Sequence, residues 1–234
     1  MTPEQFIKLG KDGYNHVPLV RTLFADLDTP LSCYVKVARG PYSYLLESAA
    51  QGGEKWARYS LVGLPCDCVV KITGDEITLE KSGEVTDQFR VEDPLAFVEE
   101  FQARFSYPEL QDLPIYTGGL VGYFGYDTIR YVEQRISQSA PPDTLGTPDI
   151  ILMVSNDVIV FDNVLGRIHL ITHADPAVDG SYELGQARLQ QMKQDLQTNV
   201  PKDLHNPVQG PRLHEADFVS NYGEEAYKVD VEKI

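Results

Sequence analysis

The sequence has few cysteines, and their pattern excludes several kinds of site. The three cysteines are Cys33, Cys66 and Cys68. An odd count in a chain of 234 residues does not indicate a disulfide framework. Cys66 and Cys68 are separated by a single residue, and the sequence around them offers no further ligands for a metal site. The cysteines therefore favour a protein of the reducing cytoplasm, and no metal site is expected in this chain.

Positive charge and long apolar runs are also scarce. Lys and Arg total 20 against 35 Asp and Glu, so the formal net charge is -15. Nucleic acids and anionic membrane surfaces bind proteins through Lys and Arg side chains. Because this chain is strongly acidic, neither is expected as a partner. No apolar run approaches the ~20 residues of a membrane-spanning helix, and the N-terminal MTPEQFIKLG lacks the pattern of a signal peptide. Hydrophobic residues make up 42% of the chain, enough for a packed core.

The most informative stretch runs from Pro41 to Pro65. Its apolar runs at 43–46 and 59–62 flank a polar turn with two glycines, which is typical of two strands joined by a loop. If the strands pair, chemistry-bearing side chains meet at one end of the hairpin. They are Glu47, Ser48, Arg58 and Ser60, with Trp56 beside them.

This cluster has two interpretations. It can hold a zwitterion, because Glu47 can accept an ammonium group and Arg58 can bind a carboxylate. Alternatively, Glu47 and Arg58 form an ordinary surface ion pair that contributes at most ~1 kcal/mol, and Trp56 belongs to the core. The residues alone leave both interpretations open.

Local signals predict the other elements of the first half. Thr2 and Gln5 form a capping box, the two-residue turns at 74–75 and 82–83 close antiparallel hairpins, and Asp93 precedes a first-turn proline. The predictions are a helix from Thr2 to about Gly10, a loop over 14–30 with a short helix at Arg21–Ala25, a strand at Leu31–Val37, a meander of Asp67–Thr73, Glu76–Lys81 and Glu84–Phe89, and a helix from Pro94 with Leu95, Val98, Phe101 and Phe105 on one face.

Glycines and aromatic residues alternate from Tyr116 to Asp127. No lysine follows the glycines, so the stretch is not a Walker A phosphate loop. It is typical of a strand that another backbone or ring approaches closely. Further predictions are a short helix at Thr128–Glu133, strands at Asp149–Ser155, Val158–Phe161 and Arg167–His173, and a helix at Ser181–Leu196. His169 and His173 lie on one face of their strand but ~13 Å apart, so they are expected to be structural or exposed.

The end of the chain has a different character. Residues 198–215 are rich in proline and polar residues and are predicted to be a linker. A new amphipathic helix begins at Gly223 and has no C-terminal stop signal before Ile234. We therefore expect this chain to be the first part of a longer protein.

Several motifs together resemble anthranilate synthase component I. They are Thr29-Pro30-Leu31-Ser32, Ser43-Tyr44-Leu45-Leu46-Glu47-Ser48, Arg58-Tyr59-Ser60-Leu61-Val62-Gly63, the stretch from Gly118 to Asp127, Pro148-Asp149-Ile150, and Tyr227 to Ile234. The resemblance covers nearly all of the chain. It implies an α+β fold with largely antiparallel sheets in a sandwich-like arrangement and flanking helices, which agrees with the meander.

The resemblance also implies a site. In the family, the Leu-Leu-Glu-Ser element lines the pocket for L-tryptophan, a feedback inhibitor, which places Glu47 and Ser48 at the ligand with Arg58 as a third member. Leu46 and Ser60 are weaker candidates. By their position after Pro148-Asp149, Ile150, Ile151 and Leu152 are also expected near the pocket.

The family's chemistry is expected outside this chain. The full-length enzyme, a lyase of tryptophan biosynthesis, converts chorismate and ammonia to anthranilate and pyruvate. The resemblance implies that a glutamine amidotransferase subunit (component II) supplies the ammonia in a heterotetramer, and that the chorismate site and the Mg²⁺ carboxylates lie in the C-terminal half. The implied domains are a regulatory domain at 1–197, the linker at 198–215 and the start of the catalytic domain at 216–234, and these 234 residues alone are expected to be inactive.

Two other functions stay open. Aminodeoxychorismate synthase component I, of the folate pathway, shares the fold and differs in the position of amination and in the elimination step. A stand-alone amino-acid-binding module would have no catalytic half, and the unfinished last helix argues against it.

Overall fold

The computed structural model describes residues 1–25, 28–47, 58–111, 113–136, 143–198, 210 and 212–233. Its helices are α1 (Pro3–Lys11), α2 (Pro30–Val37), α3 (Pro94–Gln102), α4 (Ile129–Val132), α5 (Ser181–Leu196) and α6 (Glu224–Lys233). Its strands are β1 (Val17–Phe24), β2 (Tyr44–Leu46), β3 (Tyr59–Gly63), β4 (Cys68–Thr73), β5 (Glu76–Lys81), β6 (Glu84–Arg90), β7 (Gly119–Phe124), β8 (Ile150–Ser155), β9 (Asp157–Asp162) and β10 (Arg167–Ala174).

Among the described residues, the strands form two antiparallel sheets of five strands each. Sheet 1 has the order β1-β10-β9-β3-β2, and sheet 2 has the order β6-β5-β4-β8-β7. Apolar side chains of α2 and α5, such as Cys33, Leu189 and Met192, pack on one face of sheet 1. Phe97 and Phe101 of α3 pack on sheet 2. The predicted α+β class, with antiparallel sheets and flanking helices, is confirmed.

Several predictions from local sequence signals are confirmed. β2 pairs antiparallel with β3 as the predicted hairpin, and β4, β5 and β6 form the predicted meander. α5 begins at Ser181 and ends at Leu196, as predicted. α3 buries Phe97 and Phe101 most deeply, whereas the predicted face placed Leu95, Val98 and Phe105 beside Phe101 and omitted Phe97.

The prediction for residues 14–30 is wrong. Val17–Phe24 forms β1, which pairs along its whole length with β10, where the sequence predicts a loop and a short helix at Arg21–Ala25. Val17 and Leu19 are fully buried in the core. The strand partner lies far away in the sequence, so no local pattern records the pairing that overrides the mixed local signals. Pro18 is tolerated because β1 is an edge strand.

The predicted strand Leu31–Val37 is also wrong, because this segment is α2. Thr29 and Ser32 form a reciprocal capping box, in which each backbone N–H donates to the other residue's hydroxyl at 3.0 and 3.1 Å. Pro30 occupies the first turn, where its missing N–H costs nothing. The helix buries Cys33. The cap therefore outweighs the β-forming residues Val35 and Val37.

The glycine-aromatic stretch forms β7, and the predicted close approaches are present. A Cβ on Gly122 would lie 1.8 Å from the carbonyl oxygen of Ile151 on β8. A Cβ on Gly118 would lie 2.5 Å from the His173 ring. Both glycines therefore hold positions that no other residue could fill without moving its neighbours.

The second face of sheet 1 carries a smaller apolar cluster. Val158, Val160 and Ile171 are fully buried there, and Tyr116 packs against them. Tyr116 belongs to the irregular segment between α3 and β7. This segment is attached near its start, because Ser106 exchanges hydrogen bonds with Asn15, just before β1.

The chain divides into two compact units, residues 1–200 and 201–234. The second unit contains α6, which matches the predicted helix from Gly223 and buries none of its residues. Most of the predicted linker lies outside the described residues, so the domain boundaries at 197 and 215 stay predictions. No described helix is long and apolar enough to cross a bilayer, and all three cysteines are free.

Candidate functional site

The candidate site lies at the open edge of sheet 1, where β2 and β3 form the hairpin. Tyr44 faces Gly63 across the pair, and Leu46 faces Leu61. Gly63 makes room for the Tyr44 ring, because a Cβ at this position would lie 1.9 Å from a ring carbon. The ring therefore packs over Gly63, and β2 ends at Leu46, directly before Glu47.

A pocket of about 380 Å³ lies beside this edge. Its walls are Leu46, Tyr59, Leu61, Ile115, Tyr116 and Val160, and Glu47 supplies the acidic group at its exposed rim. The size falls within the range of ~300–1,000 Å³ that is usual for small-molecule sites. An apolar, aromatic pocket with one carboxylate suits a ligand that has an apolar ring and a cationic group.

Hydroxyl groups hold Tyr116, a wall of the pocket, in place. The Tyr44 hydroxyl lies 3.0 Å from the Tyr116 hydroxyl and 2.7 Å from Oγ of Ser155 on β8. Burial raises the pKa values of both tyrosines above their usual range, so both rings stay neutral at physiological pH. This network connects the two sheets and positions Tyr116 against the pocket.

Arg58 is held by a partner that the sequence analysis did not identify. Its Nη2 lies 2.6 Å from Oδ2 of Asp162, and its Nε donates to the same carboxylate at 3.1 and 3.2 Å. Asp162 is buried, with 2% exposure, and also accepts the backbone N–H groups of Val164 and Leu165. Burial alone would raise the pKa of this carboxyl, but the Arg58 and backbone hydrogen bonds outweigh it and lower the pKa.

The surface pair between Glu47 and Arg58 is not formed in the described part of the chain. Arg58 pairs with Asp162 instead, and its guanidinium lies 4.8 Å from the centre of the Tyr59 ring. Tyr59 is a wall of the pocket. Arg58 therefore lies next to the pocket without lining it.

The weaker candidates separate into two groups. Leu46 lines the pocket. Ser60 does not, because alternate residues of a strand point to opposite faces, and Ser60 is buried on the other side of β3 from Tyr59 and Leu61. Its hydroxyl accepts a hydrogen bond from Asn163 at 3.3 Å.

Ile150, Ile151 and Leu152 belong to sheet 2. Ile150 and Leu152 are buried in the core beneath α3, and Ile151 lies between Lys71 and Tyr123 on the neighbouring strands. β8 reaches the hydroxyl network of Tyr44 and Tyr116 only at Ser155, ~13 Å further along the strand than Ile151 at ~3.3 Å per residue. None of the three lines the pocket beside β2. Ser48 and Trp56 lie outside the described residues.

The described residues do not fit a magnesium site. They contain no group of three or more His, Cys, Asp or Glu side chains that could hold a metal ion. No step of the chemistry is therefore assigned to a metal bound by this chain.

The whole chain aligns with curated proteins that carry one name. Anthranilate synthase component 1 from Pseudomonas aeruginosa is 47% identical over 234 residues, which is 100% of this chain and 47% of that protein. The component 1 proteins of Pseudomonas putida and Neisseria gonorrhoeae are 47% and 44% identical and are covered to the same extent. This chain is related to anthranilate synthase component 1 over its whole length.

The fold agrees with this relationship. The crystal structure of anthranilate synthase component I from Streptococcus pneumoniae matches 77% of this chain and 38% of its own, with a TM-score of 0.50 and 29% identity. No protein-family model matches the chain. The chain spans about half the length of the anthranilate synthase proteins that it matches.

Proposed function

We propose that this chain is the tryptophan-binding regulatory part of anthranilate synthase component I. The observation that carries the proposal is the pocket beside β2, which places Glu47 at the rim of an apolar, aromatic cavity. The names of the relatives support the enzyme, and the Leu46-Glu47-Ser48 element supports the position of the inhibitor. In this proposal the full-length protein converts chorismate and ammonia to anthranilate and pyruvate in the cytoplasm.

The chemistry of the pocket suits L-tryptophan. Its indole ring would pack between Tyr59, Leu61 and Tyr116, because aromatic pairs gain more than their buried area alone. Its ammonium would bind the Glu47 carboxylate in a charge-assisted hydrogen bond. Such a bond contributes more in the partly desolvated rim of a pocket than on an open surface.

Arg58 is the proposed partner of the ligand's carboxylate. The bonds to Asp162 occupy Nε and Nη2, and a guanidinium has five N–H donors in all. The Nη1 group therefore keeps donors for a second carboxylate. Asp162 acts here as a positioning residue that fixes the guanidinium beside Tyr59.

Inhibition follows if the ligand favours one conformation of the whole enzyme. A ligand shifts a conformational equilibrium only by its difference in affinity for the two states. In this proposal tryptophan binds a state that the catalytic half cannot use. The catalytic half would hold Mg²⁺ and chorismate, and component II would deliver ammonia to it.

The test uses the full-length enzyme with ammonia or its glutamine-dependent partner. We expect anthranilate as the product and inhibition by L-tryptophan. Aminodeoxychorismate as the product would support the folate-pathway alternative and overturn the enzyme assignment. Anthranilate formation without tryptophan inhibition would overturn the regulatory role alone.

A further inference from the structure

β7 is an edge strand with an open side. It pairs with β8 along Gly119–Phe124, and in the described part of the chain no strand pairs with its other side. Its outward backbone N–H and C=O groups are therefore available for a further strand. An open edge of this kind promotes pairing with another chain, and proteins normally block it.

The other edges of the two sheets carry such blocks. β6 is polar, with Glu84, Asp87 and Arg90, and its register with β5 shifts at Leu79/Glu80. β1 contains Pro18 and Arg21, and β2 has only three residues. β7 has the sequence GLVGYF, with no charge and no proline. Among the four edges of the described sheets, it is therefore the one without a charge, a proline or a shortened length.

Exposed apolar side chains continue from the end of β7. Phe124 is 52% exposed and Tyr126 is 94% exposed. Tyr123, Ile129 and Val132 are exposed as well. Tyr123 and Phe124 lie on β7, and the others follow it, with Ile129 and Val132 in α4. Single exposed apolar residues are common, but a group of them on and just after an open edge strand marks an interaction surface.

We propose that a strand from the rest of the full-length protein pairs with β7 and covers Tyr123, Phe124 and Tyr126. The inference rests on the proposed function, because that function requires a longer chain. The length of the relatives indicates where the added strand comes from. The chain spans 47% of the Pseudomonas aeruginosa protein, so more than half of a protein of that length lies outside the aligned part. Addition of a strand to an exposed edge is a common mode of recognition.

The start of β7 lies near the ligand pocket, and Tyr123 and Phe124 lie at its far end, opposite Ile151 and Ile150. Tyr116 is a pocket wall, and only two residues separate it from the start of β7 at Gly119. A strand bound to β7 would therefore lie at the end of a short, continuous segment that touches the ligand. This segment connects the pocket to the start of the proposed interface.

The test is hydrogen exchange of the full-length protein, resolved to single amides. We expect all β7 amides to be protected, including the alternate ones that do not bond to β8. The outward amides of β6 supply the internal reference, and we expect them to exchange at least tenfold faster. Equal exchange of the outward amides of β7 and β6 would overturn the inference.

Two further outcomes identify a different occupant and would also overturn it. Protection that disappears on dilution would assign the surface to a second copy of the chain. Protection that requires component II would assign it to that subunit. Neither result depends on catalysis, so anthranilate formation with an unprotected β7 would reject this inference and leave the proposed function in place.

A matched pair of substitutions adds a second measurement. Phe124→Asp should increase the exchange of the outward β7 amides at least tenfold in the full-length protein. Val85→Asp on β6, at a residue of similar exposure (58%), should not change it. Equal effects of the two substitutions would contradict the proposal, and if Phe124→Asp does not fold, Tyr126→Asp replaces it.

Discussion

Asp162 binds Arg58 across 104 residues of sequence, with Nη2 and Oδ2 2.6 Å apart. The carboxylate is buried and the guanidinium reaches the Tyr59 ring. The pair fixes an otherwise flexible side chain next to the pocket at the β2 edge. Arg58 can therefore act on a ligand without the entropic cost of ordering its long side chain on binding.

Removal of this carboxylate should affect both stability and regulation. Asp162→Asn keeps the shape and an acceptor for the Val164 and Leu165 N–H groups but loses the charge opposite Arg58. We expect the free energy of unfolding to fall by about 1–2 kcal/mol. We also expect the tryptophan concentration for half-inhibition of the full-length enzyme to rise, because Arg58 is no longer positioned.

Asp75→Asn is the matched control. Asp75 pairs with Arg90 at 3.4 Å, and both side chains are exposed, so its loss should change stability by less than about 0.5 kcal/mol. Urea denaturation measures the change in the free energy of unfolding. Anthranilate formation with added tryptophan measures the change in inhibition. An Asp162→Asn enzyme with unchanged inhibition would show that Arg58 needs no positioning.

Gly63→Ala should disrupt the hairpin. The new Cβ would overlap the Tyr44 ring at 1.9 Å, and Tyr44 cannot move without losing its bonds to Tyr116 and Ser155. We expect a loss of about 2 kcal/mol or more. Gly223→Ala, where a Cβ meets no atom within 4 Å, should leave the urea midpoint almost unchanged. Similar midpoints for the two variants would show that the ring is not held in this position.

Two stacked histidines should make stability depend on pH. The rings of His16 and His173 lie 5.1 Å apart, and each bonds to Asn156, through Nε2 to Oδ1 at 2.7 Å and through Nδ1 to the backbone oxygen at 3.0 Å. Nε2 of His173 is buried and has no partner in the described part of the chain. Burial lowers the pKa of both rings, that of His173 to about 4, and it outweighs the hydrogen bonds to Asn156 and the charges of Asp157 and Asp175, which act in the opposite direction.

The sign of the pH effect follows from these pKa values. In the unfolded chain a histidine has a pKa of ~6.5, so the unfolded state takes up protons first as the pH falls. The stability contributed by neutral His173 is present above about pH 6.5 and is lost as the pH falls towards 4. The loss should approach ~3 kcal/mol for His173 alone.

Urea denaturation at pH 7.5 and pH 5 measures this dependence. His173→Asn removes the titrating ring and keeps an N–H donor for the Asn156 carbonyl, so the difference between the two pH values should become smaller. His214→Asn, at an exposed position, should preserve the difference. An unchanged difference in the His173→Asn protein would show that other groups cause it.

The sequence predicts the parts of the fold whose signals are local. The turns at 74–75 and 82–83 specify the meander, and the periodicity of Ser181–Leu196 specifies α5. β1 and α2 are mispredicted for opposite reasons. β1 depends on a partner strand at 167–174 that no local pattern records. The capping box of Thr29 and Ser32, in contrast, is visible in the sequence, and in the structure it outweighs the β-branched residues Val35 and Val37 that favoured a strand.

The candidate site, too, could be predicted from the sequence only in part. The hairpin and Glu47 follow from the local pattern, but Asp162 and Tyr116 approach it from distant parts of the chain. Asp162 has one local signal, because an aspartate before a turn commonly accepts the N–H groups that follow it. Tyr116 has no such signal. Its role depends on the path of the segment between α3 and β7 over sheet 1.

The most direct test of the central claim is calorimetric titration of L-tryptophan into the full-length protein. We expect saturable binding by the natural protein, at least tenfold weaker binding by Glu47→Gln, and unchanged binding by Glu84→Gln, a matched exposed glutamate on β6. Chorismate should not compete for this site. Equal affinity of the Glu47→Gln and natural proteins for tryptophan would contradict the placement of the inhibitor at the β2 edge.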